Sequence, residues 1–335
     1  IIVPELAALY AAFAAGEPSP LPEPVLQYGD ESVWQQDYLE SAPVKRQLNH
    51  WRTALAGAPT KLELAGDKPR PVERSHAGSM EVLDIPLELS EALKELGKRY
   101  GVTLYMVLLA AYQAMLHRYT GEEDIVVGGV TDLRRRPELE RLVGYFLNTM
   151  ALRSKPRGEL TFRAFLGEVR DSVLGALGAS EVPFDMVVRE MKIRGEPGAH
   201  PLFNLLFSIE PPVDPFPEGW DLTQMDVVVG AAKFDLSLEL DERPDGMICR
   251  FLYSTEIFEA ATICRMIGHW LTLLRHVAVD PACPLGDLPL LTAGETRRML
   301  GAWNDTARPI PPESLPQAIA AHAQTRPSSA AIISG

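Results

Sequence analysis

Val143-Gly144-Tyr145-Phe146-Leu147-Asn148-Thr149-Met150-Ala151-Leu152-Arg153, with Arg134-Arg135-Arg136-Pro137-Glu138-Leu139-Glu140 ahead of it, is the stretch on which the fold turns. Its second half, Leu147 to Arg153, reads as a strand. The β-branched run Asp124 to Val130 before it reads as a central strand of the same sheet. The arginine triplet between them is the one dense basic run of the chain and, on composition alone, reads as a solvated loop. Asn148 and Thr149 stand where turn becomes strand, a position from which such side chains cap local backbone.

Working outward, helices and strands interleave. Pro4 to Ala15 carries Leu6, Leu9, Tyr10 and Phe13 at the spacing of a half-buried helix. A second helix runs from Val33 through Trp51 and Leu55, and Gly57-Ala58-Pro59 ends it. Leu64 to Ser79, rich in Pro, Gly and charge, reads as an exposed crossover. Val82 to Ile85 is a strand, Ser90 an N-cap for Glu91 to Tyr100, and Thr103 the start of a nearly all-apolar, buried helix. Thr161 caps an amphipathic helix with Phe162, Phe165, Leu166, Val169, Val173 and Leu177 on one face. Phe203 to Ile209, Val227 to Gly230, Phe234 to Leu240 and Ile248 to Tyr253 are strand-like, and Ala261 to Val277 is a helix. This mixture predicts an α/β layered fold, an α+β sandwich with a substantial sheet. Beyond Cys283 the prolines Pro284, Pro289, Pro309, Pro311 and Pro312 mark a linker with one short helix around Glu295 to Leu300.

Composition narrows the function classes. At 335 residues the chain exceeds the roughly 100–200 residues of one core, which predicts two folding units or one large two-layer unit. A formal charge of −13 opposes nonspecific nucleic-acid binding, and no apolar run is long enough for a membrane span. Cys249, Cys264 and Cys283 show no CxxC spacing, so neither a zinc site nor a disulfide framework is expected, and a reducing cytoplasm fits. The opening Ile1-Ile2-Val3-Pro4-Glu5 has neither methionine nor a signal-peptide pattern, and the chain reads as a fragment.

Several blocks, in order, resemble the condensation domains of non-ribosomal peptide synthetases. Leu26-Gln27-Tyr28-Gly29-Asp30 with Trp34 is similar to the family's tyrosine-aspartate-tryptophan block, and Arg134 through Arg153 to the next. Val182-Pro183-Phe184-Asp185, Pro201-Leu202-Phe203-Asn204 with Phe207, and Phe234-Asp235-Leu236 resemble the blocks that follow. Leu290-Leu291-Thr292 with Glu295, Trp303-Asn304-Asp305-Thr306 and Ala330-Ala331-Ile332 resemble the entrance of an adenylation domain, which favours condensation over epimerisation. The resemblance implies a chloramphenicol acetyltransferase-like two-lobe fold with a tunnel entered by two 4'-phosphopantetheine arms. Most of the first lobe is then missing. The expected division is 1–60, tail of the first lobe; 61–283, second lobe; 284–308, interdomain linker; 309–335, beginning of the adenylation domain.

The implied reaction joins a carrier-bound acyl or peptidyl thioester to the amine of a carrier-bound amino acid. The implied partners are upstream and downstream peptidyl carrier domains and the adjacent adenylation domain, with no nucleic acid, membrane or metal. Amide formation needs a positioned base and oxyanion stabilisation. The family's His-His-x-x-x-Asp-Gly motif does not occur in these residues, so no catalytic residue is assigned and the chain alone is expected to be inactive. A catalytically silent docking platform is the rival reading. A stand-alone acyltransferase is disfavoured by the adenylation entrance at Trp303 to Thr306.

By the same resemblance, Arg134 braces the active site by pairing with the motif aspartate, although Asp132 and Leu133 stand where a small residue and glycine are common. Asn148, Thr149 and His200 are tunnel or carrier-arm candidates, Asn148 and Thr149 as donors to a pantetheine amide. Ala179-Ser180-Glu181 replaces the family's His-Gln-Asp, and Ser180 lacks a nucleophile elbow. Residue chemistry makes His117 a helix-terminal histidine and His50 a solvated one. His269 and His276, seven apart and expected to have no carboxylate at ligand spacing, read as packing or rim residues.

Overall fold

The computed structural model describes residues 1–193, 200–210, 220, 225, 227–309, 314–330 and 332. It separates into two compact units, Ile1–Leu290 and Leu291–Gly335. Pro311, Pro312 and Ala331 lie outside the described residues.

The first unit begins with α1 (Ile2–Ala14), α2 (Tyr28–Leu39) and α3 (Ala42–Ala54). The stripe expected to be half-buried in α1 is largely exposed: Leu6, Tyr10 and Phe13 face solvent while Ala7 and Ala12 are buried. Periodicity determines which side chains share a face and leaves open what covers it. The single helix expected through Val33 and Trp51 is two. Pro43 in the first turn of α3 lacks an N–H and would clash with the carbonyl one turn back, so a continuous helix cannot pass. Trp51 is buried and its Nε1 donates to the Ala179 carbonyl at 2.9 Å.

β1 (Gly78–Pro86), α4 (Leu87–Tyr100), α5 (Leu104–Thr120), β2 (Ile125–Asp132), α6 (Pro137–Glu140) and β3 (Leu147–Ser154) follow. Ser90 does not cap α4, which starts one turn earlier after Pro86 and buries Ser90 completely. Thr103 does cap α5, accepting from the Met106 N–H at 3.3 Å, and every residue from Met106 to His117 is buried. α7 (Phe162–Gly178), capped by Thr161 as expected, precedes α8 (Phe184–Glu190), β4 (Leu205–Glu210), β5 (Leu236–Arg243), β6 (Gly246–Ser254) and α9 (Ala260–Val279).

The six strands form one mixed sheet in the order β1-β6-β5-β4-β2-β3. β4 runs parallel to β2 and β5, and the other pairs are antiparallel. Against this sheet lie α4, α5, α7 and α9, with α5 touching the other three helices. This is the layered α/β sandwich that the alternation of periods predicted. Val227 to Gly230 is not a strand. Val227, Val228 and Val229 are exposed, and among the described residues pairing near them consists of an Ala77–Ala231 bridge and a 2.9 Å bond from the Gly78 N–H to the Gly230 carbonyl. Branched side chains favour a strand only where an edge is available to pair with.

The crossover between Leu64 and Ser79 is less exposed than expected. Leu62 and Leu64 are buried, and the Arg70 guanidinium forks onto buried Asp235, which Arg74 also approaches at 3.5 Å. Asn204 exchanges hydrogen bonds of 2.9 Å with the Leu62 backbone and donates to Asp235 at 2.7 Å. At the other end, residues 284–290 belong to the first unit, with Leu285 and Leu288 fully buried.

The second unit contains α10 (Ala293–Leu300), opened by a reciprocal Thr292–Glu295 capping box, and α11 (Leu315–Thr325). α11 falls in residues 309–335, beyond the stretch expected to be linker. Pro316 sits in its first turn, where its missing N–H has no intrahelical partner to lose. Among the described residues no helix is long and apolar enough to cross a membrane.

Candidate functional site

The loop between β2 and β3 and the first half of β3 bring the signature stretch together. Its arginines do not form a solvated loop, because each is held by a different element. Arg134 donates from Nη1 to Asp132 at 3.1 Å and from Nη2 to the carbonyls of Leu142 and Gly144 at 3.3 and 3.2 Å. Its guanidinium lies 4.4 Å from the centre of the Phe146 ring, while Nε is shielded and unpartnered among the described residues. Arg135 reaches the Leu177 carbonyl at 2.8 Å and the Ser180 hydroxyl. Arg136 pairs with Glu31 and stacks 4.3 Å over Trp34, which itself stacks on Tyr38. The early aromatic block thereby clamps the basic loop to α2.

Asn148 uses its whole amide. Nδ2 donates to the carbonyls of Ser180 and Val182, both at 2.7 Å, and Oδ1 accepts from the N–H groups of Thr149 and Phe184 at 2.9 and 3.2 Å. Three of Asn148's four bonds reach the backbone of residues 180–184. Its partners are the loop before α8, far off in sequence. Thr149 is half-buried in β3 opposite Val130. Arg153 closes the strand with a fork onto Asp124, at 2.7 and 2.6 Å, and with bonds to the Ala54 and Ala56 carbonyls at 2.9 Å. That hydrogen-bonded carboxylate raises the guanidinium's pKa further.

Between these anchors the chain alternates. Leu139, Leu142 and Phe146 form a small buried cluster, while Val143, Tyr145 and Leu147 point outward at 53%, 73% and 47% exposure. Gly144 is required by close approach: a Cβ there would stand 2.3 Å from the Tyr28 ring, whose hydroxyl donates to the Tyr145 carbonyl at 3.1 Å. The result is a stiff ledge carrying an apolar outer edge.

The residues just before α8 have local roles. Ser180 is buried and donates to the Leu177 carbonyl at 3.0 Å, so it is no exposed nucleophile. Glu181 accepts from Tyr38 and Gln47, both at 2.6 Å, and its N–H donates to Gln47 at 3.2 Å. The Glu181 hydrogen bond raises the Tyr38 phenol above its ordinary pKa. Tyr38 and Glu181 line a cavity of about 80 Å³ with Trp34, Arg135 and Arg136. Sequence reasoning missed this triad because Tyr38, Gln47 and Glu181 are unremarkable apart and meet only when α2 and α3 pack on the loop before α8.

His200 sits apart from Asn148 and Thr149 in kind. Its ring is enclosed by Phe184, Phe203 and Phe234, with centroid distances of 5.2, 4.1 and 5.2 Å. Burial pushes its pKa down to about 4, the Phe203 backbone acts in the opposite sense, and the shielded Nδ1 has no hydrogen-bond partner among the described residues. Phe203 in turn lies on Gly128 of β2, where any Cβ would strike the ring at 2.1 Å. The aromatic box draws on three of the blocks quoted from the sequence.

The remaining histidines offer no acid–base pair to this site. His117 is buried with Nδ1 2.8 Å from the Glu122 carbonyl, and His269 meets the Tyr119 hydroxyl at 2.6 Å. His50, expected to be solvated, is half-buried with its pKa lowered by burial. It borders an open cleft of about 500 Å³ lined also by Arg153, Lys155, Arg157, Glu168 and Asp171. The assembled face can position and enclose a ligand through fixed donors and apolar surface. Among the described residues it contains no nucleophile with an adjacent base.

Comparison with known proteins agrees with this architecture. A family profile described as a condensation domain matches residues 1–300. The chain is 38% identical over 342 aligned positions to one of the linear gramicidin synthase proteins of Brevibacillus parabrevis, covering 100% of this chain and 4% of that protein. It is 38% identical to tyrocidine synthase 2 of the same organism, covering 92% of this chain and 8% of that protein. The chain thus spans less than a tenth of the length of these relatives. The first condensation domain of the calcium-dependent antibiotic synthetase superposes with a TM-score of 0.72 at 23% identity, covering 86% of this chain and 62% of that one. The X-domain from teicoplanin biosynthesis superposes with a TM-score of 0.75 at 24% identity, covering 85% and 67%. At these identities the superpositions establish the fold, the chloramphenicol acetyltransferase-like one expected from the sequence. With the profile spanning most of the residues and the signature folded as one anchored ledge, the chain belongs to the condensation-domain family of non-ribosomal peptide synthetases.

Proposed function

We propose that this chain supplies the second-lobe wall of an amide-forming condensation site, in which a carrier-bound acyl or peptidyl thioester is joined to a carrier-bound amino acid. The observation that carries the proposal is the anchored ledge. Asn148 clamps the loop before α8 while Val143, Tyr145 and Leu147 are left exposed as an apolar edge. Such a surface orients a phosphopantetheine arm and its acyl chain without taking part in proton transfer, and fixed geometry of this kind contributes to catalysis through proximity. Thr149 and the His200 box flank the arm's route. The histidine pair, absent from these 335 residues, is supplied from elsewhere in the synthetase, and the chain by itself is inactive. Arg134 exchanges part of its Asp132 pairing for the motif aspartate and so braces the histidines. Residues 309–335 begin the adenylation domain, and the assembly works in the cytoplasm.

A synthetase containing this chain together with a His-His-x-x-x-Asp-Gly lobe should form peptidyl product on an aminoacyl acceptor carrier when given an acyl-loaded donor carrier. The 335-residue chain should form none. Product from the chain alone, or equal turnover of free thioesters, would overturn the reading. The rival reading, a silent docking platform, draws on the local satisfaction of Arg134 by Asp132. It predicts carrier binding without amide formation even in the intact synthetase.

A further inference from the structure

We propose that His276, Asp280 and Cys283 form a divalent-metal site at the C-terminal end of α9, with a donor set suited to zinc. One imidazole nitrogen of His276, one carboxylate oxygen of Asp280 and the Cys283 sulfur all lie within 4.8 Å of one another. The expectation that His276 has no carboxylate at ligand spacing is thereby corrected. The relevant carboxylate is Asp280, four residues beyond His276 on the next turn, with the thiol three residues further on.

The geometry is close to what a metal requires. Zinc holds nitrogen and oxygen ligands at about 2.0–2.2 Å and sulfur at about 2.3 Å, which separates tetrahedral ligand atoms by roughly 3.3–3.8 Å. Closing the present cluster onto one ion therefore takes about 1 Å of side-chain movement. His276 and Cys283 are half-buried and Asp280 is exposed, which leaves an entry path. His276 Nε2 is shielded from solvent with no hydrogen-bond partner among the described residues, a costly state for a buried polar atom unless something binds it. The Cys283 sulfur makes only a weak 3.6 Å approach to the Pro284 carbonyl among the described residues.

The backbone beneath the ligands is already pinned. Asp280 donates its N–H to the His276 carbonyl at 2.8 Å, Arg163 donates to Pro281 at 2.9 Å and Phe162 donates to Cys283 at 3.0 Å. The Ala282 N–H holds one Asp280 oxygen at 3.0 Å and so orients the carboxylate. The helix carbonyls at this end favour a cation. A nitrogen, an oxygen and a thiolate select zinc or its chemical neighbours over magnesium or calcium, which prefer all-oxygen shells. A fourth position remains for water. The site would staple the segment after α9 back onto the last turn of α9, and no residue of the β3 ledge takes part in it.

Cobalt(II) added to the full chain tests the proposal, because a thiolate ligand gives a near-ultraviolet charge-transfer band and tetrahedral geometry gives intense visible absorption. One cobalt per chain should bind with both signatures, and zinc should displace it. Asp280→Asn, which keeps an acceptor for Ala282, and Cys283→Ser should each weaken binding more than about 100-fold, the upper range for loss of even an outer-shell partner. Cys264→Ser should change nothing. Zinc should raise the melting temperature of the parent chain and leave that of Asp280→Asn unmoved. Absence of the thiolate band, its survival in Cys283→Ser, or its loss in Cys264→Ser would overturn the site.

Discussion

Asn148 shows how one side chain can carry a whole block of sequence. Two donated and one accepted hydrogen bond tie β3 to residues 180–184, a second accepted bond comes from the adjacent Thr149 N–H, and none is left for solvent. Asn148→Ala should therefore leave several backbone groups of that loop unpaired and cost about 2–3 kcal/mol of stability by denaturant titration. Asn148→Asp, which keeps the acceptor and loses the donors, should recover little of it. His200 gives a pH signature. Its folded pKa of about 4 lies below the ordinary 6.5, so the unfolded chain binds the extra proton first. Stability contributed by the neutral ring is fully present above pH 6.5 and falls as pH drops toward 4. His200→Phe should flatten that part of the stability–pH curve, and an unchanged curve would show that another group titrates there. Asn148 is legible in the sequence as a residue of interest with two open roles. Its backbone partners come beside it only when the loop before α8 packs on β3.

At the scale of elements, aromatic residues of α2 act as a lid on the basic loop. Tyr28 covers Gly144, and Trp34 lies under Arg136. Gly144→Ala should push the Tyr28 ring aside and cost about 1–2 kcal/mol, the usual range for overpacking. In a Tyr28→Ala background the same substitution should be nearly silent, a non-additivity that a double-mutant cycle would read directly. Equal costs in both backgrounds would mean that the clash is not with Tyr28. Elements with strong local signals are legible in the sequence: the Thr103 and Thr161 caps, the apolar wrap of α5 and the alternating strands β5 and β6. The break at Pro43 is readable from proline chemistry, but the apolar pattern that continues across it masks the signal. Val227 to Val229 have the composition of a strand without an available edge, and composition alone does not report an edge.

Across the whole first unit, burial is uneven. α5 is enclosed by the sheet and by α4, α7 and α9, whereas α1 exposes Leu6, Tyr10 and Phe13. Native-state hydrogen exchange should find α5 protected up to the global unfolding free energy and α1 opening with far smaller cost. Comparable protection in the two helices would show that α1 is covered in solution. By itself the sequence determined most element types, the layered class and, through the order of its blocks, the family. These follow from local propensity, from side-chain periodicity and from residue types that recur in order. Tertiary structure alone decided that Arg135 and Arg136 turn to different partners, that Glu181 joins Tyr38 and Gln47, and that Asn148 meets residues 180–184. Each depends on packing between segments whose spacing in the chain carries no trace of the contact, because a hydrogen bond or a ligand distance is fixed only when the layers close.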